Sequence, residues 1–245
     1  MPKDRLRVAG VVQARLGSKR LPRKAMLPLN GRPMFLQVAE RLKFCKELDQ
    51  VALAIPYTDT PLLTAGLNAG YTVTVGAEFD LIERFTNAFD GLVPRPDAIV
   101  RITADCPLID PHIVDELLIG WRNFTTDYGS NVHPLRSYPD GLDCEVFTPA
   151  FLQRCRKAAG DSPIYKEEFT RLAWEGKVEV WPLHVLAIAP DFSDLAWSVN
   201  TPEEYPGAQV VYAKLGPTFS LHDVLKAFGR KGLPQIALDS ASSAQ

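Results

Sequence analysis

Short apolar runs alternate with amphipathic segments along the first half of this chain. The run at residues 8–12 consists almost entirely of β-branched or small residues, which is typical of a strand covered on both faces. Further strand-like runs lie at residues 51–55, 71–75 and 98–102. Segments with apolar residues at helical spacing follow these runs, at residues 33–44, 60–69, 81–89 and 111–121. This alternation indicates βαβ units on a mainly parallel sheet.

The alternation of strand and helix patterns ends after residue 126. Residues 127–147 combine prolines, a glycine and alternating apolar residues, and we interpret them as an irregular or antiparallel arm. Helical patterns return at residues 149–158, 164–174, 202–215 and 220–228, and strands are expected around residues 178–181 and 184–188. No repeat or low-complexity linker divides the chain. We therefore predict one domain over residues 1–235, followed by a disordered tail at 236–245.

Charge and sulfur content exclude several classes of protein. The 245 residues include 27 basic and 29 acidic side chains, a net charge of −2, so no general field attracts nucleic acid. No stretch approaches the roughly 20 apolar residues of a membrane span, and the first residues do not have the form of a secretory signal. We therefore expect a cytoplasmic protein. Its four cysteines form no CxxC pair, which predicts free thiols.

The loop after the first predicted strand, residues 13–24, has the composition of a phosphate-binding segment. Gly17 and Ser18 allow backbone amides to turn toward an anion. Five basic residues accompany them: Arg15, Lys19, Arg20, Arg23 and Lys24. A solvated basic turn explains the same composition, but the carboxyl end of a central strand is where α/β sheets bind ligands. GxxxxGK[ST] and GxGxxG are both absent from this loop, which excludes a Walker loop and a dinucleotide fingerprint.

The same loop resembles the opening of a known family. Residues 11–24, VVQARLGSKRLPRK, and residues 31–34, GRPM, are similar to the first motif of the cytidylyltransferases that make CMP-activated acidic sugars. The similarity is strongest to the branch named after spore coat polysaccharide biosynthesis protein F. Three further segments resemble later motifs of that branch, in the same order: residues 101–110, 138–147 and 195–204.

The resemblance implies a fold and an activity. The fold would be a three-layer α/β/α nucleotidyltransferase of the Rossmann-like (GT-A-like) kind, with a mainly parallel sheet and a β-rich dimerisation arm. The activity would be transfer of CMP from CTP to a sugar or acidic sugar, with release of pyrophosphate and with Mg²⁺ as cofactor. A homodimer, in which the arm reaches the partner's site, is also implied.

The resemblance also assigns residues to the nucleotide site. Those expected to bind the nucleotide are Gln13, Ala14, Arg15, Gly17, Ser18, Lys24, Arg101, Thr103 and Ala104. Those expected to act in catalysis are Arg15, Arg20, Lys24 and Asp105. Fixed cations suit this reaction because they stabilise the charge that develops as pyrophosphate leaves. Arg23 and Ala104 depart from the family's pattern, since each replaces a glycine.

A metal site is expected near Asp105. This residue follows a predicted strand, where a carboxylate holds Mg²⁺ while phosphates supply further oxygens. Its alternative role is to cap the next helix, although Asp110 is better placed for that. The family's second metal carboxylate falls at Asn200, whose amide oxygen is a weaker ligand. Three interpretations stay open: an enzyme with one carboxylate, a second ligand from Asp194 or Glu203, or a nucleotide-binding relative without turnover.

The predicted arm carries three carboxylates within six positions: Asp140, Asp143 and Glu145. On spacing alone, a solvent-facing acidic hairpin and a site for sugar hydroxyls are equally good interpretations. The resemblance favours substrate contact, and it adds Tyr138 and Lys166 to the acceptor set. Glu168 stands where relatives carry a histidine, so we expect a different substrate preference.

We therefore expect a CTP-dependent cytidylyltransferase, whose choice of base rests on the resemblance alone. One alternative is a nucleotidyltransferase that uses another nucleoside triphosphate. Another is a glycosyltransferase, although the DxD metal motif of such enzymes is absent at Asp105-Cys106-Pro107. A third is a nucleotide-binding protein that has lost turnover, which Asn200 motivates.

Overall fold

A seven-stranded sheet forms the centre of the fold. The computed structural model describes residues 6–124, 126–180, 184–231 and 233. The strands in chain order are β1 (Val8–Gln13), β2 (Pro28–Leu29), β3 (Arg32–Pro33), β4 (Gln50–Pro56), β5 (Thr72–Gly76), β6 (Ala98–Thr103), β7 (Tyr128–Ser130), β8 (Glu145–Phe147) and β9 (His184–Val185). Their order across the sheet is β5-β4-β1-β6-β8-β7-β9, while β2 and β3 form a separate two-stranded ribbon.

Helices connect most of these strands. In chain order they are α1 (Met34–Leu42), α2 (Thr60–Asn68), α3 (Leu81–Gly91), α4 (Pro111–Asn123), α5 (Pro149–Ala159), α6 (Pro163–Glu167), α7 (Arg171–Trp174), α8 (Tyr205–Leu215) and α9 (Leu221–Phe228). β5, β4, β1 and β6 run parallel, whereas β8 is antiparallel to both β6 and β7. The carboxyl ends of the four parallel strands therefore meet at one edge of the sheet.

Both faces of the sheet are covered. Val8 and Val12 of β1 pack into a core cluster with residues of α1, α4 and α8. Ala9 and Val11, which alternate with them, pack into a second cluster with residues of α3 and α5. Because successive side chains of a strand point to opposite faces, the two clusters are two separate helix layers. The three-layer α/β/α class with a mainly parallel sheet is confirmed.

Most predicted elements are confirmed, with bounds shifted by up to three residues. The single helix predicted at residues 164–174 is wrong, because the chain forms α6 and α7 instead. Phe169 lies between them and is buried, with its ring centroid 5.7 Å from that of Phe85 and 5.2 Å from that of Phe147. Burying this ring turns the chain toward the core and interrupts the helix.

Three other predictions concern segments with less regular structure. The strand predicted at residues 178–181 is wrong over 178–180, which form no strand, while Trp181 lies outside the described residues. Residues 127–147 contain β7 and β8, which extend the central sheet. The dimerisation role of this segment and the domain bounds stay predictions, and the tail at 236–245 lies outside the described residues.

All four cysteines are free, as predicted, and all four are buried. Burial raises the pKa of the Cys155 thiol to about 12, so this side chain is protonated at neutral pH. Among the residues that the structure describes, none of the helices is both long enough and apolar enough to cross a bilayer.

Gly141 joins two of the sequence motifs at close range. Its φ of +104° belongs to a region that side chains disfavour, and an added Cβ would lie 2.4 Å from the backbone nitrogen of Ser198. On either side of this contact, the Asp140 nitrogen donates to the Leu195 carbonyl at 2.9 Å, and the Trp197 nitrogen donates to the Asp140 carbonyl at 2.6 Å. The glycine therefore permits a backbone contact that fixes the segment leading to Asn200.

We predict that Gly141→Ala lowers the free energy of unfolding by at least about 2 kcal/mol, because backbone strain and overpacking each cost about 1–3 kcal/mol. Denaturant unfolding followed by circular dichroism measures this change. Gly176→Ala is a matched control, because Gly176 also has a positive φ, +67°, but no atom lies within 4 Å of an added Cβ. Equal losses in the two variants would show that the contact at Gly141 carries no stability.

Candidate active site

A cleft of about 520 Å³ opens at the carboxyl ends of β1 and β6. Its walls are the loops that follow β1 and β5, the end of β6, the end of α6, and Asn200. It is lined by every residue predicted to bind the nucleotide, act in catalysis or hold the metal: Gln13, Ala14, Arg15, Gly17, Ser18, Arg20, Lys24, Arg101, Thr103, Ala104, Asp105 and Asn200. The structure therefore brings these groups together, and their roles stay predictions.

The loop after β1 is held in a tight conformation. The Ser18 and Arg23 nitrogens both donate to the Leu16 carbonyl, at 2.8 and 3.2 Å, and the Leu16 nitrogen donates to Asp59 Oδ2 at 2.7 Å. Arg23 is exposed and has a left-handed φ of 58°, directly before a 3-10 turn at Lys24–Met26. Glycine adopts this conformation without the steric cost of a side chain. This explains why the pattern of the resembled family has a glycine where this chain has Arg23. The turn directs Lys24 into the cleft.

Lys24 connects groups from three motifs. Its Nζ donates to Asp105 Oδ2 at 2.6 Å and to Asn200 Oδ1 at 2.9 Å. Arg20 Nη2 donates to the same Asn200 oxygen at 3.0 Å. The Asn200 amide nitrogen donates to Ser198 Oγ at 2.8 Å, which directs the amide oxygen toward the two cations. These contacts place two oxygens around one ammonium group.

Asp105 is an anion at neutral pH. Burial would raise the pKa of its carboxyl, but the charge of Lys24 and the hydrogen bonds from Lys24 and Thr103 outweigh burial and hold the pKa below its ordinary value. The alternative capping role belongs to Asp110, whose carboxylate accepts from the His112 nitrogen at 2.9 Å and from the Leu221 nitrogen at 2.6 Å. Asp105 thus remains available to a ligand in the cleft.

The donor atoms at Asp105 and Asn200 fit a hard divalent cation. A carboxylate and an amide oxygen both lie within 3 Å of Lys24 Nζ, and Mg²⁺ typically binds one or two protein oxygens while phosphates and water complete its shell. Among the described residues, no group of three or more His, Cys, Asp or Glu side chains is placed to hold a metal ion. Asp194 and Glu203, the other candidates for a second ligand, do not line the cleft.

Arg15 is placed to receive an anion. Its Nη2 pairs with Glu167 at 2.6 Å, and its guanidinium lies 5.3 Å from the centroid of the Phe79 ring. Its Nη1 is buried and has no hydrogen-bond partner within the described part of the chain. A buried donor without a partner is costly, so an acceptor atom on a ligand would remove that cost.

Sequence reasoning missed one wall of this cleft, residues 78–84. Glu78, Phe79 and Arg84 line it, although no motif marks them. Arg84 donates to the carbonyls of Ala77 and Glu78 and so holds this segment in place; burial, together with the nearby charge of Arg15, lowers the pKa of its guanidinium to about 10. The one available signal was position, because this loop and the first turn of α3 follow β5 at the same edge as the loop after β1.

Hydrogen bonds run across the sheet beneath the cleft. Arg101 donates from Nε to Gln13 Oε1 at 2.8 Å and from Nη1 to Glu145, its cross-strand neighbour. Glu145 also accepts from the Tyr128 hydroxyl at 2.6 Å, and that hydroxyl accepts from Trp174 Nε1 at 3.2 Å. Gln13 borders the main cleft, whereas Trp174 borders a second cavity. The network therefore connects two binding spaces.

The second cavity has a volume of about 320 Å³ and shares Arg101, Thr103 and Glu168 with the main cleft. Of the predicted acceptor residues, Asp143 and Glu145 line it.

The other three predicted acceptor residues lie elsewhere. Tyr138 is 2% exposed within the core. Asp140 accepts from the Ser198 hydroxyl at 2.7 Å. Lys166 lines a separate depression beside α3 and α5. The structure does not bring these three into either binding space, and their contact with substrate stays a prediction.

Comparison with known proteins agrees with this geometry. Residues 9–165 match the family model described as cytidylyltransferase. The chain belongs to the cytidylyltransferase family. Enzymes of this family are nucleotidyltransferases, and the matched residues contain β1, β6 and the loop that carries Lys24.

Two curated relatives and one solved structure illustrate the similarity. Spore coat polysaccharide biosynthesis protein SpsF of Bacillus subtilis is 25% identical over 230 residues, 90% of this chain and 93% of that protein. A 3-deoxy-manno-octulosonate cytidylyltransferase of Anaeromyxobacter sp. is 32% identical over 114 residues, 46% of each chain. A cytidylyltransferase structure from Leptospira borgpetersenii superposes with a TM-score of 0.82 at 28% identity. The superposition covers 91% of this chain and 93% of the Leptospira chain. Several other relatives are matched over only 39–64% of their length.

We predict that Lys24→Met raises the pKa of Asp105 above its ordinary value, because burial remains while the neighbouring positive charge is lost. In the unmodified protein the lowered pKa stabilises the fold above about pH 4, and this stabilisation is lost as the pH falls through the folded value. In the variant the pKa of Asp105 is higher in the folded state than in the unfolded state, so the protonation of Asp105 favours folding at low pH instead. Carboxyl-carbon NMR titration of both proteins measures the two values.

Lys43→Met is the matched control, because Lys43 is an exposed lysine that pairs with Glu40 away from the cleft. An Asp105 pKa that is the same in the Lys24 variant and in this control would refute the pairing.

Proposed function

We propose that this protein is a CTP-dependent cytidylyltransferase that transfers CMP to a hydroxyl of a sugar or sugar-like acceptor and releases pyrophosphate. The observation that carries the proposal is the contact of Lys24 Nζ with both Asp105 and Asn200 inside the cleft of the β1 loop. Cations for a triphosphate and oxygens for its metal ion thus share one space. Relatives named as cytidylyltransferases support cytosine as the base.

The charges of the main cleft suit a polyphosphate. Its lining contains six cations, Arg15, Lys19, Arg20, Lys24, Arg84 and Arg101, and four carboxylates, Glu78, Asp105, Glu167 and Glu168, a net charge of +2, which becomes +1 when Glu145, the partner of Arg101 from outside this lining, is included. Asn200 adds no negative charge where the family has a carboxylate. The cleft is therefore more positive by one unit than it would be with aspartate at this position.

Each group has a place in the displacement reaction. The acceptor hydroxyl oxygen attacks the α-phosphorus and loses its proton to solvent, the bond to pyrophosphate breaks, and negative charge moves to the leaving group. Arg20 and Lys24 neutralise that charge, while Arg15 Nη1 and the backbone of residues 14–18 hold the nucleotide. Asp105 and Asn200 would hold Mg²⁺, which would supply further neutralisation of the phosphate oxygens.

Two properties implied by the resemblance belong to the same proposal. We propose a homodimer whose contact includes residues 127–147, and the exposure of Leu135 within this segment, 65%, is consistent with a covered surface in the assembly. We retain residues 1–235 as one catalytic domain, as expected from the sequence. The cytoplasmic location stays a prediction.

Pyrophosphate release tests the proposed function. Purified protein with Mg²⁺ is incubated with CTP, UTP, ATP or GTP and a panel of neutral and acidic sugars. We expect release with CTP at least tenfold faster than with the other triphosphates, a factor that about 1.4 kcal/mol produces. Hydrolysis of a UDP-sugar without pyrophosphate would instead indicate a glycosyltransferase. Binding of CTP without turnover, unchanged by Asn200→Asp, would indicate a binding protein.

Two variants assign the activity to this cleft. Lys24→Ala and Asp105→Ala should each lower turnover by about two orders of magnitude, the scale of losing one electrostatic contact in a transition state. Lys43→Ala serves as the control, because it removes an exposed lysine outside the cleft. Near-normal rates in both cleft variants would exclude this site as the source of activity.

A further inference from the structure

The second cavity carries a different charge from the main cleft. Its ionisable lining consists of two arginines, Arg101 and Arg136, and three carboxylates, Asp143, Glu145 and Glu168. The two cations and three anions give a net charge of −1. His133, which also lines the cavity, adds no charge at neutral pH, because burial lowers the pKa of its imidazole.

Both arginines already have carboxylate partners. Arg136 donates from Nη1 and Nη2 to the two oxygens of Asp143, at 2.6 and 2.8 Å. Arg101 is paired with Glu145, its neighbour on β8. A bidentate Arg–carboxylate pair uses the planar donor face that would otherwise bind an acid. Neither arginine therefore presents an uncompensated positive charge to a ligand.

The field inside the cavity is unfavourable for another anion. Burial raises the pKa of Asp143, and the nearby charges of Asp140 and Glu145 raise it further, against the opposing effect of Arg136. Glu168 adds a carboxylate at the junction with the main cleft; its ion pair with Arg171, at 3.3 Å, is exposed to solvent and therefore compensates its charge only weakly. A ligand carboxylate in this space would lose hydration without gaining a free cation.

Two stacked aromatic rings form part of the remaining wall, beside Thr103, Val132 and Thr170. The imidazole of His133 stacks on the indole of Trp174. Trp174 Nε1 is held by the Tyr128 hydroxyl at 3.2 Å. The volume, about 320 Å³, lies at the lower end of the roughly 300–1,000 Å³ range of small-molecule pockets. Aromatic surface next to carboxylate oxygens suits the C–H faces and hydroxyl donors of a polyol.

We propose that the acceptor bound in this cavity is an uncharged polyhydroxylated molecule, a neutral sugar or a polyol, and not a carboxylate-bearing sugar. The proposal rests on the proposed function, since it places the acceptor next to the cleft that takes CTP. The shared residues Arg101, Thr103 and Glu168 mark where the two molecules meet. Asp143, Glu145 and Glu168 accept hydrogen bonds from its hydroxyls.

Matched acceptors test this inference. Pyrophosphate release is measured with CTP and Mg²⁺ for two pairs that differ only in the carboxylate, glucose against glucuronate and galactose against galacturonate. We expect kcat/KM for a neutral member to exceed that for its acidic counterpart by at least about tenfold, equivalent to roughly 1.4 kcal/mol. An acidic acceptor that matches or exceeds the neutral ones overturns the inference, and so does release with none of the neutral acceptors.

Calorimetric titration of CTP without acceptor separates the two claims. If CTP binds and acidic sugars are preferred, the acceptor inference is wrong and the cytidylyltransferase proposal stands. If CTP does not bind, the proposed function itself is wrong, and the inference fails with it.

Two charge-neutralising variants assign the preference to this cavity. Asp143→Asn replaces the bidentate carboxylate partner of Arg136 by a neutral amide, which leaves only Asp140, at 3.8 Å, as its anionic neighbour, and Glu168→Gln removes the exposed carboxylate at the junction without disturbing the core. Each should shift the ratio of acidic to neutral kcat/KM about tenfold toward the acidic acceptors. Asp90→Asn is the control, because it removes the carboxylate of another Asp–Arg pair, with Arg95 at 2.9 Å, outside the cavity and outside the proposed dimer contact. Ratios unchanged in both cavity variants would contradict the inference.

Discussion

The contact of the Lys24 ammonium with Asp105 and Asn200 is the interaction on which the site depends. It links the first motif to the second, 81 residues away, and to the last, 176 residues away. A half-buried carboxylate such as Asp105 is costly unless it is paired, and Lys24 supplies the pairing charge. With Arg20 also directed at Asn200, two cations face one anion. The surplus positive charge is a local reason for a triphosphate to bind here.

The two binding spaces differ in charge, which is the difference that the proposed nucleotide and acceptor sites require. The cleft above β1 and β6 is positive, whereas the adjoining cavity is negative and its arginines are paired. Between them, hydrogen bonds connect Gln13, Arg101, Glu145, Tyr128 and Trp174 across the sheet. Each of these side chains holds the next in a fixed orientation. The position of the Gln13 amide at the main cleft therefore depends on the position of the Trp174 indole at the second cavity.

Much of this arrangement could be predicted from sequence, for a physical reason. The parallel strands are buried on both faces and read as continuous apolar runs, and loops at their carboxyl ends converge, so the basic loop and Asp105 had to meet. Residues whose positions depend on tertiary packing could not be predicted in this way. Phe169 ends a helix by entering an aromatic core, and Arg84 acts through backbone carbonyls in a loop with no motif. Tyr138 and Lys166 were predicted to contact the acceptor on the basis of the family resemblance, yet the fold places them outside both binding spaces.

A crystal structure of the protein with CTP and Mg²⁺ tests the central claim most directly. The account predicts that the triphosphate lies between the loop of residues 15–24 and Asp105, with Arg15 and Lys24 in contact with phosphate oxygens and the metal ion on Asp105 and Asn200. A nucleotide bound elsewhere, or a triphosphate that leaves Lys24 and Asp105 paired only with each other, would contradict it.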